Sequence, residues 1–191
     1  MTALPVSAAW RHLGAREGFE VVFPSDERGG LRFDGHSTGV EDGQAWSVRY
    51  TIVLDDDWRT RRARVVSRSA MGTRELEMAR DGAEGWLVNR APAPHVEGCL
   101  DVDLEASAFT NAFPVRRLGL PPGESAEAPA AYVRAPELRV ERLDQTYRRL
   151  DDDGARSRYD YASPRFDFEA LLVYDEHGFV LDYPGIAVRV L

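Results

Sequence analysis

The sequence predicts an all-β fold, a long antiparallel meander rolled into a half-barrel or spiral β-roll. Three observations point there: apolar residues recur with period two in several runs, each run ends in turn-forming residues, and few windows hold apolar residues at helical spacing. Trp46, Val48, Tyr50, Ile52 and Leu54 fall on one side of an extended segment, with Ser47, Arg49, Thr51 and Asp55 on the other.

The remaining elements follow in chain order. Trp58 to Arg64 opens a strand on whose two sides Trp58, Arg62 and Arg64 oppose Arg59 and Arg61, a polar strand end projecting past the core. Arg74 to Arg80 and Glu84 to Arg90 alternate more loosely. Ala91-Pro92-Ala93-Pro94 and Leu120-Pro121-Pro122-Gly123 are connections or edges, because proline cannot donate to a ladder. Ser107 to Asn111 is at most one helical turn. Leu138 to Leu150 and Arg156 to Tyr161 alternate again, as do Phe166, Phe168, Ala170, Leu172 and Tyr174. Tyr183-Pro184-Gly185 turns between two short apolar runs. Glu41-Asp42-Gly43, Asp55-Asp56-Asp57, Asp81-Gly82, Asp151 to Gly154 and Glu176-His177-Gly178 supply the other turns, through positive φ or side-chain-to-backbone bonds. A sheet of so many strands must curl, close or split, and a roll leaves one concave face.

At 191 residues the chain suits one domain spanning 1–191, and a domain of this size buries about 70% of its unfolded surface. Apolar residues make up 43% and charged residues 29%, the composition of an ordered globular protein. No apolar run approaches the roughly 20 residues of a spanning helix, so stable membrane insertion is not expected. The first ten residues lack a basic and apolar leader pattern, and a cytoplasmic location is the expectation. Cys99, the one cysteine, has no internal disulfide partner and reads as a small buried filler. The net charge of −8 disfavours nucleic acid as a partner. All 24 basic residues are arginine, whose planar fork suits carboxylate or phosphate.

The densest chemistry lies between residues 96 and 118. Asp101 and Asp103, two apart in an extended run, share one side with alpha carbons about 6.5 to 7 Å apart. They could pair with an arginine, accept ligand hydroxyls, face solvent, hold a metal or serve as an acid and base. If 114–118 is extended, at most one of Arg116 and Arg117 shares their side. Thr110 and Asn111 offer a hydroxyl and an amide, for a turn or for a hydroxylated ligand. Gly35-His36-Ser37-Thr38-Gly39 matches a nucleophile elbow formally, but a strand and not a helix follows it, so the glycines read as a bulge or a close approach. Asp151 to Gly154 lacks calcium-loop spacing, and the four histidines show no zinc pattern. No metal or other cofactor is called for.

Gly98-Cys99-Leu100-Asp101-Val102-Asp103-Leu104, then Phe109-Thr110-Asn111, then Pro114-Val115-Arg116-Arg117-Leu118 resembles the signature of the bacterial glycolipid-binding family, formerly a domain of unknown function. The likeness begins near Trp10, passes through Tyr50 and Asp57 to Arg61, and ends at Asp182-Tyr183-Pro184-Gly185. Ala108 stands where the family has proline, and Phe113 where leucine is usual. The resemblance implies a half-barrel similar to the lipoprotein localisation factors, and non-covalent binding of a lipid or glycolipid. The tail would lie in the concave face and the headgroup at a polar rim containing Trp58, Arg62, Asp101, Asp103, Thr110, Asn111, Arg116, Arg117 and Tyr183. A fourteen-carbon tail would gain roughly 11 kcal/mol gross against ordering costs of at least ~4 kcal/mol.

Binding is thus expected ahead of catalysis, with no catalytic residue assigned. Two alternatives stay open: a hydrolase or lyase acting on a glycoconjugate with Asp101 and Asp103 as its acid and base, and a structural or protein-binding β module, favoured if the roll is filled by its own Phe, Leu and Trp side chains and a sheet edge forms a dimer. Exposed sheet edges are compatible with a homo-oligomer.

Overall fold

A computed structural model of the chain describes residues 4–14, 16–82 and 85–191. Strands β1 (Ala8–His12), β2 (Glu17–Glu27), β3 (Gly30–Glu41), β4 (Gln44–Leu54), β5 (Thr60–Ser69), β6 (Gly72–Asp81), β7 (Gly85–Val88) and β8 (Ala91–Pro92) form an antiparallel meander. An inserted segment follows, with β9 (Asp101–Leu104), a 3-10 turn at Phe109–Asn111, helix α1 (Ala112–Leu118), β10 (Ser125–Glu127), β11 (Ala130–Val133) and β12 (Val140–Leu143). The meander then resumes as β13 (Thr146–Arg149), β14 (Ser157–Ser163), β15 (Phe168–Tyr174), β16 (Val180–Tyr183) and β17 (Ala187–Arg189).

Pairing of β17 with β1 fuses the two meanders into one 14-stranded antiparallel sheet that does not close, with β8 and β10 as its edges. The all-β roll predicted from the period-two runs is the observed architecture. Proline-bearing β8 at an edge agrees with the ladder rule. Strands β12, β11 and β9 form a separate three-stranded sheet in which β9 runs parallel to β11.

The predicted inward row of β4 is buried from Trp46 to Leu54. Acidic turns close the hairpins as expected: Asp55 Oδ1 accepts from the backbone N–H groups of Asp57 and Arg59 at 3.0 and 2.8 Å. Asp175 Oδ1 does the same for His177 and Phe179. In the predicted strand from Glu84 to Arg90, Glu84 lies outside the described residues; Gly85–Val88 are strand and Asn89–Arg90 turn away at positive φ. Phe166 precedes its strand, in a 3-10 turn.

The Gly35 to Gly39 segment forms no bulge. Gly35 lies opposite Tyr50, and Gly39 opposite Trp46, across the β3–β4 ladder. A Cβ at Gly35 would sit 2.0 Å from Tyr50 Cζ, and one at Gly39 2.5 Å from Trp46 Cζ2. Each glycine therefore makes room for the aromatic ring that covers it, the cross-strand device known to stabilise glycine in sheets. Ser37 between them is fully buried and contacts His12 Nε2 at 2.9 Å, so no nucleophile is presented.

Residues 112–118 are a helix, where extended chain or a single earlier turn was expected. Pro114 is tolerated in the first turn, where no N–H partner is lost, and Gly119 ends the helix in the left-handed conformation at φ 53°. Burial of Phe113 and Val115 selects this conformation over weak local propensity.

The insert fills the centre of the concave face. Phe109 packs 4.9 Å from Phe33, 4.9 Å from Phe179, 5.3 Å from Phe113 and 5.8 Å from Trp10, between ring centroids. Such pairs contribute about 0.5–1.5 kcal/mol beyond their area burial. The hollow expected to take a lipid tail is occupied there by the protein's own aromatic core. Among the described residues, no helix is long and apolar enough to cross a membrane.

Candidate functional site

The insert is held to the large sheet by a buried glutamate. Glu20, on the inward face of β2, accepts from Tyr50 Oη at 2.6 Å, from Ser107 Oγ, and from the backbone N–H groups of Ala108 and Phe109 at 2.8 and 3.3 Å. Burial raises its pKa, and these four donors oppose that shift. At the other end of β9, the Thr60 hydroxyl accepts from the Val102 N–H at 3.1 Å, while the Thr60 N–H donates to Leu100 O at 3.0 Å. Strand β9 is thereby fixed at both ends, and its two aspartates are set in different surroundings.

Asp101 is bound by Arg117 through two bonds, Nη2 to Oδ2 at 2.6 Å and Nε to Oδ1 at 3.1 Å. The carboxylate is only 1% exposed and does not line the recess that Asp103 lines. Because α1 is helical, Arg116 points elsewhere: its guanidinium lies 4.8 Å over Trp58, and its methylenes pass over Gly178, where a Cβ would approach within 2.5 Å. Trp58, at φ 65°, is itself buried against Phe33 at 5.9 Å. A register shift between Val53 and Leu54 pairs Leu54 with Thr60 and Val53 with Arg62. Arg62 is exposed and joined to Glu27 at 3.4 Å, so the shared side predicted for Trp58 and Arg62 is absent.

Asp103 has no such partner. Oδ1 accepts from Thr110 Oγ1 at 2.7 Å, and Thr110 Oγ1 accepts in turn from the Leu104 N–H at 3.2 Å. Among the described residues, Oδ2 accepts no hydrogen bond and no arginine or histidine forms an ion pair with the group. Burial, with the nearby charges of Asp101 and Glu105, raises the Asp103 pKa from 3.8 to about 6, opposed by the Thr110 bond.

This carboxyl lines a recess of about 150 Å³ between the insert and strands β14 to β16. Tyr132, Tyr161, Phe166, Phe168 and Tyr183 supply five aromatic rings to its wall. Tyr161, Phe168 and Tyr183 stand 6.0 to 6.1 Å from one another, and Tyr132 is 5.7 Å from Phe166. Burial and then neighbouring carboxylates or phenols hold the hydroxyls of Tyr132, Tyr161 and Tyr183 protonated. Asn111 also lines the recess, its Oδ1 accepting from Tyr147 Oη at 2.9 Å. Ser163, 1% exposed, adds a hydroxyl beside that of Tyr161.

Glu105, Tyr132, Phe166 and Ile186 are shared with an adjoining groove of about 270 Å³, completed by Leu13, Arg16, Glu41 and Gly185. Arg16 is committed there, to Glu41 and, at 2.8 Å, to the Glu105 carbonyl. A separate depression of about 320 Å³ beside Arg116 is more polar. Its Arg149 is already bound to Tyr159 and Asp152.

Of the residues selected in the sequence, the structure gathers Asp103, Asn111 and Tyr183 around one recess, with Thr110 holding Asp103. Trp58, Arg62, Asp101, Arg116 and Arg117 lie outside it. Tyr132, Tyr161, Ser163, Phe166 and Phe168 were not selected. Tyr161, Phe166 and Phe168 carried a signal, as members of alternating runs. Among the described residues, no cluster of three or more His, Cys, Asp or Glu side chains could hold a metal ion.

A family profile described as "Putative glycolipid-binding" matches residues 7–189. The crystal structure of a DUF1089 family protein from Pseudomonas aeruginosa superposes with a TM-score of 0.74 at 31% identity, covering 100% of this chain and 95% of that one. Among curated proteins, none matches the chain. With a recess and an apolar groove on a rolled sheet, and with a profile match across almost its full length, this chain belongs to the glycolipid-binding family that the signature at residues 98–118 resembles.

Proposed function

We propose that the protein binds an amphiphile non-covalently, with a hydroxylated headgroup in the Asp103 recess and the first part of its tail in the groove along Leu13, Phe166 and Ile186. The carrying observation is a recess walled by five aromatic rings, with one unneutralised carboxyl facing it, that adjoins an apolar groove. Aromatic rings supply apolar area with polar tips, and a carboxylate oxygen accepts from hydroxyl groups. The recess has room for about five waters, each taking ≈ 30 Å³ of liquid, which a headgroup of similar size would displace. Locating the tail in the groove follows from the aromatic filling of the concave centre. An acid and base pair is not favoured, since Asp101 is tied to Arg117 away from the recess.

Titration calorimetry with octyl glucoside, below its micelle concentration, tests this reading. Saturable binding that weakens at least tenfold in Tyr183→Ala and in Phe168→Ala is expected. Saturable binding unaffected by either substitution would place the site elsewhere.

A further inference from the structure

We infer that the Asp103 recess selects a headgroup bearing a positive charge, an amino or alkylammonium group held between the free carboxylate oxygen and the surrounding aromatic rings. This inference rests on the amphiphile-binding reading above and adds the chemical class of the headgroup.

The charge inventory is one-sided. The residues lining the recess include two carboxylates, Asp103 and Glu105, and no arginine or histidine. Glu105 is already satisfied: its Oε2 accepts from the Ala135 N–H at 2.7 Å and pairs with Arg134 at 3.5 Å. Asp103 is not, although the chain carries 24 arginines and uses one of them to clamp Asp101 two residues away. A buried carboxylate without a counter-charge is costly unless a partner arrives. Aromatic walls complete the match, because a ring face attracts a cation, most strongly where water is excluded. Ser163 Oγ, buried beside the Tyr161 hydroxyl, offers an acceptor for a second N–H or a hydroxyl. A phosphate or sulfate in the same place would meet only like charge.

A matched set of eight-carbon amphiphiles tests the inference by calorimetry at pH 7.5: octyl glucoside, its 2-amino-2-deoxy counterpart, octyltrimethylammonium and octyl sulfate. The amino glycoside should bind at least tenfold more tightly than the neutral one, and octyl sulfate least tightly. In Asp103→Asn, the ratio of amino to neutral affinity should fall toward one. Should that variant not fold, the wild-type ratio at pH 5.0, where Asp103 is largely protonated, serves the same purpose. Octyltrimethylammonium matching the amino glycoside assigns selection to the charge alone, whereas weaker binding assigns it to a sugar-borne amine. Both outcomes support the inference. Equal affinity for the amino and neutral glycosides, or preference for octyl sulfate, would overturn it and leave the amphiphile reading standing. Absence of binding by every probe would overturn both.

Discussion

Asp103 and Asp101 show how two identical side chains, two positions apart on one strand, acquire opposite roles. A bidentate arginine satisfies Asp101, and a single threonine hydroxyl is all that Asp103 receives. The consequence for stability has a definite sign. Folded Asp103 keeps its proton up to about pH 6, whereas an unfolded aspartyl releases it near 3.8. Between those values the unfolded chain binds fewer protons, so this group's contribution to stability falls as pH rises through the window and stays at its full cost above pH 6. Asp103→Asn keeps an acceptor for Thr110 and should stabilise the apoprotein at pH 7.5 by on the order of 3 kcal/mol. Near pH 4 the gain should be small. Denaturant unfolding of both proteins at the two pH values checks this, and an equal gain at both would show that the charge is not its source. Arg117→Met should do the reverse, leaving Asp101 buried without its partner at a cost of about 3–5 kcal/mol, measurable in the same experiment.

Among the elements, β2, β3, β4 and the β9–α1 insert depend on one another through Glu20, Gly35 and Tyr50. Tyr50 reaches Glu20 because Gly35 leaves its ring the space, and Glu20 in turn holds the turn at Ser107 to Phe109. Gly35→Ala must displace that ring and should destabilise the fold by about 1–3 kcal/mol, the usual cost of overpacking, as read by thermal unfolding. It should also loosen the Asp103 recess, since Ser107 lines it.

The strands of the large sheet were legible because their period is local: β4 reads as a half-buried strand from its own eleven residues. Helix α1 was not, because seven residues with proline in the first turn carry little helical preference, and tertiary burial of Phe113 decides the matter. Whether the hollow is open or filled could not be decided from the sequence either. Nothing in Phe109 or Phe113 announces that Trp10, Phe33 and Phe179 will surround it.

Across the whole molecule, the Asp103 recess is where distant segments meet. Asp103, Asn111 and Tyr183 could be selected from the sequence through the polar signature and the terminal turn. Tyr132, Tyr161, Phe166 and Phe168 could not be assigned to the same place, since their convergence depends on how the insert docks against β14 to β16. The arginine-rich rim at Trp58, Arg62 and Arg116 proved to be internal packing and outer ion pairs, a reminder that a charged motif records composition before it records position. Below pH 6, protonation of Asp103 should also weaken binding of a cationic headgroup while leaving Tyr132, Tyr161 and Tyr183 in the same state, which a binding series from pH 5 to 8 would show.

Where an amphiphile sits on the protein decides whether the Asp103 recess takes a headgroup. A crystal structure of the protein soaked with the 2-amino-2-deoxy octyl glycoside should show the sugar ring against Asp103, among Tyr132, Tyr161 and Tyr183, with the alkyl chain running toward Phe166, Ile186 and Leu13. Density instead beside Arg116 and Arg149, on the outer face of the sheet, or nowhere at saturating ligand would contradict it.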